Sequence, residues 1–167
     1  MVGVSGHRDL DPGDSARLRE AVADFVQQLK GHLPDTELRL IVGMAEGADL
    51  LVAETALGLG VPVEAVLPMP LEHYAADFDV QTLAQLKELL RRPQVRCVEL
   101  SADTPGAAAG PHSREQRDAM YANLTDTTQQ LPYSSTQMGP HSMILAFKTK
   151  RGTYVNFTGT IDRVTNK

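Results

Sequence analysis

The chain has 167 residues, of which 42% are hydrophobic and 22% are charged, and this balance excludes a disordered protein. Its length suits one core, so residues 1–167 are predicted to form a single domain. The net charge of -5 disfavours a protein that holds nucleic acid through its overall field. No apolar run approaches the ~20 residues that cross a bilayer, and the first residues lack the basic flank of a signal peptide, which predicts a cytoplasmic protein without a membrane partner.

The sulfur and imidazole groups give no sign of a metal site. Cys97 is the single cysteine and lies in the apolar run 95–98, so we expect a buried, unreactive thiol. One cysteine excludes a disulfide or a zinc framework within the chain. The histidines have no metal-ligand spacing, and neither a metal nor a cofactor is predicted.

Short apolar runs alternate with segments of helical periodicity along the chain. The runs are bounded by turn-forming residues, as expected of buried strands, and each periodic segment places its apolar residues on one face. The predicted strands are residues 2–6, 38–43, 61–70, 95–100 and 143–147. The predicted helices have apolar faces formed by Leu18, Val22, Phe25 and Leu29; by Leu50, Ala53 and Leu57; by Tyr74 and Phe78; by Leu83, Leu86 and Leu90; and by residues within 114–124.

The alternation of strands and helices predicts an α/β fold. The expected architecture is a Rossmann-like three-layer sandwich, in which helices flank a mainly parallel sheet. Residues 102–140 are predicted to be rich in loops, because only the segment within 114–124 shows helical periodicity there. Sheets of this kind bind their ligands beyond the carboxyl ends of the strands, where the search for a site therefore begins.

Three turns rich in small residues follow predicted strands, and a parallel sheet would bring them to one edge. Glycine lets the backbone approach a phosphate, and the amides at a helix start point towards an anion. An arginine can grip the same phosphate, while Asp49 either bonds a ligand hydroxyl or stabilises the start of its own helix. The predicted ligand-binding residues are Ser5, Gly6, His7 and Arg8; Gly43, Ala45, Glu46, Gly47, Ala48 and Asp49; and Arg151, Gly152 and Thr153.

Two of these turns carry a resemblance to a known family. The runs Val4-Ser5-Gly6-His7-Arg8 and Gly43-Met44-Ala45-Glu46-Gly47-Ala48-Asp49, with Val66-Leu67-Pro68 before Tyr74 and Phe78, resemble the SLOG superfamily of Rossmann-like domains over residues 2–80. That superfamily includes the DNA-processing protein A (Smf) domain, the Lonely Guy phosphoribohydrolases and bacterial sensor domains. The resemblance to the sensor-type branch implies a regulatory module that binds a nucleotide or a nucleotide-derived phosphorylated small molecule. It also implies pairing into a homodimer.

The chain departs from the hydrolases of that superfamily where they carry their chemistry. Arg151-Gly152-Thr153 is similar to their Gly-Gly-Thr turn with one glycine lost, and Asn156 stands where their motif has a glutamate. An amide cannot act as a general acid or base, so the resemblance favours a binding module over an enzyme. Two alternatives stay open: a phosphoribohydrolase of Lonely Guy type that uses Glu46 or Asp49 on a nucleoside monophosphate, and single-stranded DNA binding of Smf type. The acidic charge and the 5% aromatic content disfavour the second.

Overall fold

The structure is a computed structural model, and it describes residues 2–100, 117–120, 142–148 and 154–160. Residues 117–120 are helical, and a short 3-10 turn lies at Ala75–Asp77. The strands in the described part are β1 Val2–Gly6, β2 Leu40–Val42, β3 Val63–Leu67, β4 Val95–Glu99, β5 Ser142–Lys148 and β6 Tyr154–Thr160. The helices are α1 Pro12–His32, α2 Ala48–Gly58, α3 Leu71–Tyr74 and α4 Val80–Leu90.

The sheet contains these strands in the order β4-β3-β2-β1-β6-β5. Strands β1 to β4 are parallel neighbours, whereas β6 is antiparallel to both β1 and β5. The predicted α/β fold with a mainly parallel, Rossmann-like sheet is therefore confirmed. Strand β6 was not predicted, and it separates β1 from β5, because strand pairing depends on partners distant in sequence that a local pattern does not reveal.

One face of the parallel strands carries the main core. Val4, Val42 and Leu67 pack in a single cluster with the buried faces of α1, α2 and α4. Because β1 to β4 follow one another across the sheet, right-handed crossovers put the connecting helices on the same face. On the other face, Ile41 and Val66 form a separate small cluster with Leu100. This arrangement brings the first turns of α1, α2 and α4 to the edge where the parallel strands end.

Helix α1 begins at residues that favour a helix start. The Asp11 carboxylate accepts a hydrogen bond of 2.9 Å from the Gly13 amide, and a proline occupies the first helical position, where no intrahelical donor is needed. The predicted apolar face is confirmed, and it consists of the buried side chains Leu18, Val22, Phe25 and Leu29.

Helix α2 is buried over most of its surface, because it lies between α1 and α4 and covers β1 to β3. Its residues are accordingly apolar nearly all round, as expected of a helix enclosed on several sides. The helix ends at Gly58, and Gly60 takes a left-handed φ of 72° that lets the chain turn into β3.

The predicted single helix that contains both Tyr74 and Phe78 is not present between β3 and α4. Helix α3 ends at Tyr74, a 3-10 turn follows, and the φ of -118° and ψ of 148° put Phe78 in extended backbone. The two rings still meet edge to face with 4.8 Å between their centroids, and Tyr74 is fully buried. The apolar contacts predicted for both residues are retained without the continuous helix, because Phe78 is partly buried and packs against the core that contains Tyr74.

The expectation of a buried Cys97 is wrong. Cys97 is exposed, because β4 is an edge strand of the sheet and none of its five residues is buried. Desolvation by the surrounding protein and the Glu99 carboxylate raise the pKa of the Cys97 thiol, which reduces its thiolate fraction at neutral pH. No helix in the described part of the chain combines the length and apolar character needed to span a bilayer.

Candidate functional site

The turn after β2 is a closely hydrogen-bonded corner. The Tyr74 hydroxyl donates to the Gly43 carbonyl at 3.3 Å, and the Ala45 amide donates to Asp49 Oδ2 at 3.2 Å. Met44 is fully buried and has a φ of 56°, a left-handed conformation that is uncommon for a residue with a side chain. These contacts fix the backbone that leads into α2 before any ligand arrives.

Gly47 is the point where this corner meets the end of β1. Its φ is 84°, and a Cβ built on it would lie 2.1 Å from the Arg8 carbonyl oxygen and 2.6 Å from that of His7. The Ala48 amide donates to the His7 carbonyl oxygen at 3.1 Å. Two of the three predicted turns are therefore in direct backbone contact. The close approach that Gly47 permits is to the chain's own backbone.

The first amides of α2 are largely committed to the protein itself. Besides the bond from Ala48, the Leu50 amide donates to the Ala45 carbonyl at 3.3 Å, and the Leu51 amide donates to that of Gly47 at 3.1 Å. A phosphate placed on the Ala48 amide would have to replace its bond to His7. The positive end of the helix dipole still points in this direction and still favours an anion nearby.

Asp49 is the buried acidic group of this corner, with 7% of its surface exposed. Burial raises the pKa of its carboxyl to about 7, although the hydrogen bond from Ala45 and the positive charge of Arg8 act in the opposite direction. Oδ2 holds the Ala45 amide, while the buried Oδ1 has no hydrogen-bond partner among the described residues. The carboxylate thus ties the turn to the first turn of α2 rather than capping its own helix.

A pocket of about 230 Å³ opens beside this corner, between the starts of three helices. The loops after β1 and β2 contribute Arg8, Leu10, Glu46 and Gly47 to its wall. Three of these, Arg8, Glu46 and Gly47, belong to the residues predicted from sequence. The remaining wall consists of Ser15 and Arg19 from α1, Leu50 and Leu51 from α2, and Thr82 and Gln85 from α4.

Arg19 is the most important wall residue that the sequence did not reveal. Its Nη1 atom lies 2.6 Å from Oε2 of Glu54, so the guanidinium bridges α1 and α2. Ser15 lies one helical turn before it and lines the same pocket. The sequence does show that Ser15 and Arg19 are four residues apart on a helix and therefore share a face. It does not show that this face borders a pocket, because that depends on how α1 packs against α2.

Ser5 and Gly6 occupy another part of the same edge. Ser5 and Gly6 end β1 and pair with Asn156 and Val155 of β6. Asn156 therefore lies within a strand. Strand β5 ends and β6 begins beside the end of β1, because Lys148 pairs with Tyr154 there. Arg151, Gly152 and Thr153 lie outside the described residues.

Neither a metal site nor a similarity to known proteins identifies the function. In the described part of the chain, no group of three or more His, Cys, Asp and Glu side chains is arranged to hold a metal ion. A scan against models of known protein families matches none of them, and a comparison with curated proteins also finds no match. The functional argument therefore depends on the geometry of the edge and of the pocket beside it.

Proposed function

We propose that this protein binds a nucleotide or a nucleotide-derived phosphorylated small molecule, as a sensor or regulatory module of SLOG type. The observation that carries the proposal is a pocket lined by two arginines, at the edge where the parallel strands end and three helices begin. The carboxyl edge of such a sheet is the usual place for ligands in open α/β folds. Helix starts add a favourable potential for a negative group.

The pocket wall presents cationic groups to an anionic ligand even though the whole chain is acidic. The net charge is -5, yet the charged side chains of the pocket wall are Arg8, Arg19 and Glu46. An arginine presents several donors in a planar fork that matches phosphate oxygens. Glu46 accepts hydrogen bonds and suits a sugar hydroxyl. The wall therefore matches a molecule that combines a phosphate with hydroxyl groups.

The size of the pocket limits which part of such a ligand it holds. Pockets for drug-sized molecules have volumes of roughly 300–1,000 Å³. A volume of about 230 Å³ suits a sugar phosphate, so the base of a nucleotide would extend beyond it. Leu10, Leu50 and Leu51 supply apolar wall, against which the carbon atoms of a sugar can pack.

A phosphoribohydrolase of Lonely Guy type is the second candidate, and the carboxylate of Glu46 in the pocket wall is the observation that favours it. The Asp49 carboxyl, with a pKa of about 7, also suits general acid–base chemistry at neutral pH. Asp49 is nevertheless enclosed and occupied with the Ala45 amide. The hydrolase would therefore depend on Glu46, which lines the pocket. Release of free base from a nucleoside monophosphate, lost in Glu46→Gln, would establish this activity.

Melting temperatures in the presence of nucleotides and sugar phosphates test the proposed binding. A ligand at 100 times its dissociation constant adds about 2.7 kcal/mol to the free energy of unfolding. For a domain of this length, that increment raises the melting temperature by roughly 5 °C or more. We expect at least one phosphorylated compound to do so, whereas its dephosphorylated form does not. Unchanged melting with every compound would contradict the proposal.

A further inference from the structure

The site of the ligand's phosphate can be inferred from which backbone groups are already hydrogen-bonded within the protein. In this structure the Ala48 amide is bonded to the His7 carbonyl, and the space above Gly47 is filled by the Arg8 carbonyl. An anion seated on these amides would displace the chain's own hydrogen bond and meet a carbonyl oxygen, which repels it. The backbone of this corner is thus a poor phosphate site.

The side chains of the adjacent pocket offer what the backbone does not. Arg8 comes from the loop after β1 and Arg19 from α1, and both line the same volume. Glu54 contacts one Nη atom of Arg19, and a guanidinium carries five N–H donors, so this contact leaves other donors of the group for a ligand. Ser15 and Thr82 also line the wall, but the Ser15 hydroxyl already donates to the Asp11 carbonyl at 3.4 Å and the Thr82 side chain is hydrogen-bonded to Asp79. The charged donors of two arginines therefore line one small space.

We infer that the phosphate of the ligand binds between Arg8 and Arg19, in the pocket bounded by α1, α2 and α4, and that the ligand is a phosphomonoester. This inference rests on the proposed binding function and names its site and ligand class. A monoester carries a charge of about -1.5 to -2 at neutral pH, which exceeds the single negative charge of Glu54 that pairs with Arg19. Glu46, in the same wall, then accepts a hydrogen bond from a sugar hydroxyl. Arg19 is a ligand contact, whereas Glu54 pairs with it from outside the pocket wall.

Isothermal titration calorimetry of the full chain with ribose 5-phosphate tests the inference. Inorganic phosphate and ribose are the partial probes, and the variants are Arg19→Gln, Glu54→Gln and Arg17→Gln. Arg17 is the matched control, because it lies exposed on the same helix and its replacement removes the same charge. We expect Arg19→Gln to weaken ribose 5-phosphate binding by on the order of tenfold or more, since it removes a charge-assisted hydrogen bond. Arg17→Gln should change affinity less than about twofold by long-range charge alone.

Glu54→Gln separates ligand contact from structural support. It breaks the same ion pair as Arg19→Gln but keeps the guanidinium in the pocket, so we expect affinity to be retained. Equal loss of affinity in the two variants would overturn the inference, because the pair would then act only by holding α1 to α2. Melting shifts with nucleotides, together with no binding of ribose 5-phosphate, would also overturn it while the proposed function stands. If neither nucleotides nor ribose 5-phosphate bind, the inference and the proposed function are both wrong.

Discussion

The replacement Asp49→Asn should change how stability depends on pH. In the folded protein burial raises the pKa of Asp49 to about 7, compared with an ordinary value of 3.8. The folded state therefore holds this proton more tightly than the unfolded state does. The stability that the protonated carboxyl contributes is fully present below about pH 4. It is lost progressively as the pH rises, and the loss is complete above about pH 7.

The magnitude follows from the difference between the two pKa values. Each pKa unit corresponds to about 1.4 kcal/mol, so the range from 3.8 to about 7 amounts to about 4 kcal/mol. Asparagine has nearly the same shape and keeps an oxygen for the Ala45 amide, but it has no proton to lose. The free energy of unfolding of Asp49→Asn, minus that of the unchanged protein, should therefore rise by about 4 kcal/mol between pH 4 and pH 8.

Urea unfolding of both proteins, followed by circular dichroism at several pH values, measures this difference. Asp79→Asn provides a control of opposite sign. The Asp79 carboxylate is exposed and accepts from the Thr82 amide at 2.7 Å, which holds its pKa below its ordinary value. The stability that the ionised Asp79 carboxylate contributes is fully present above its ordinary pKa and is lost as the pH falls through the lowered pKa. The free energy of unfolding of Asp79→Asn, minus that of the unchanged protein, should therefore stay constant from pH 5 to pH 8. A flat curve for Asp49→Asn would refute the reasoning about its burial.

Three further changes test separate contacts. Gly47→Ala should lower the free energy of unfolding by about 2 kcal/mol or more in urea titrations, because its Cβ would collide with the Arg8 carbonyl in a left-handed backbone; an unchanged midpoint would contradict that contact. Tyr74→Phe should cost about 1 kcal/mol through loss of the hydrogen bond to Gly43, measured in the same way, and a stabilised variant would speak against the bond. Cys97 in the folded protein should react with a thiol reagent and do so faster as the pH rises; protection until unfolding would show that the thiol is covered.

The repeating part of the fold could be predicted because its signals are local. The apolar face of α1 and the runs that became β1 to β4 are recognisable from short stretches of sequence. The sharp corner at residues 43–49 was also visible, since Gly43 and Gly47 lie between a strand and a helix. These features depend on neighbours within a few residues. Their prediction therefore required no knowledge of the tertiary structure.

The features that escaped prediction depend on distant partners. Strand β6 is paired on both sides, and its place beside β1 follows from a long-range contact. The exposure of Cys97 follows from the position of β4 at the end of the sheet, which its apolar sequence does not indicate. Likewise, Gly47 was recognised as a position of close approach, but only the structure identifies the approaching group as the His7–Arg8 backbone. Arg19 entered the candidate site through the packing of α1 on α2.

The most direct test of the account is a crystal structure of the protein soaked with a nucleoside monophosphate. The account predicts density for the phosphate in the pocket between α1, α2 and α4, in contact with the guanidinium groups of Arg8 and Arg19. The bond from the Ala48 amide to the His7 carbonyl should remain intact. A phosphate seated on the Ala48 amide in place of that bond, or an empty pocket beside a nucleotide bound elsewhere, would contradict the account.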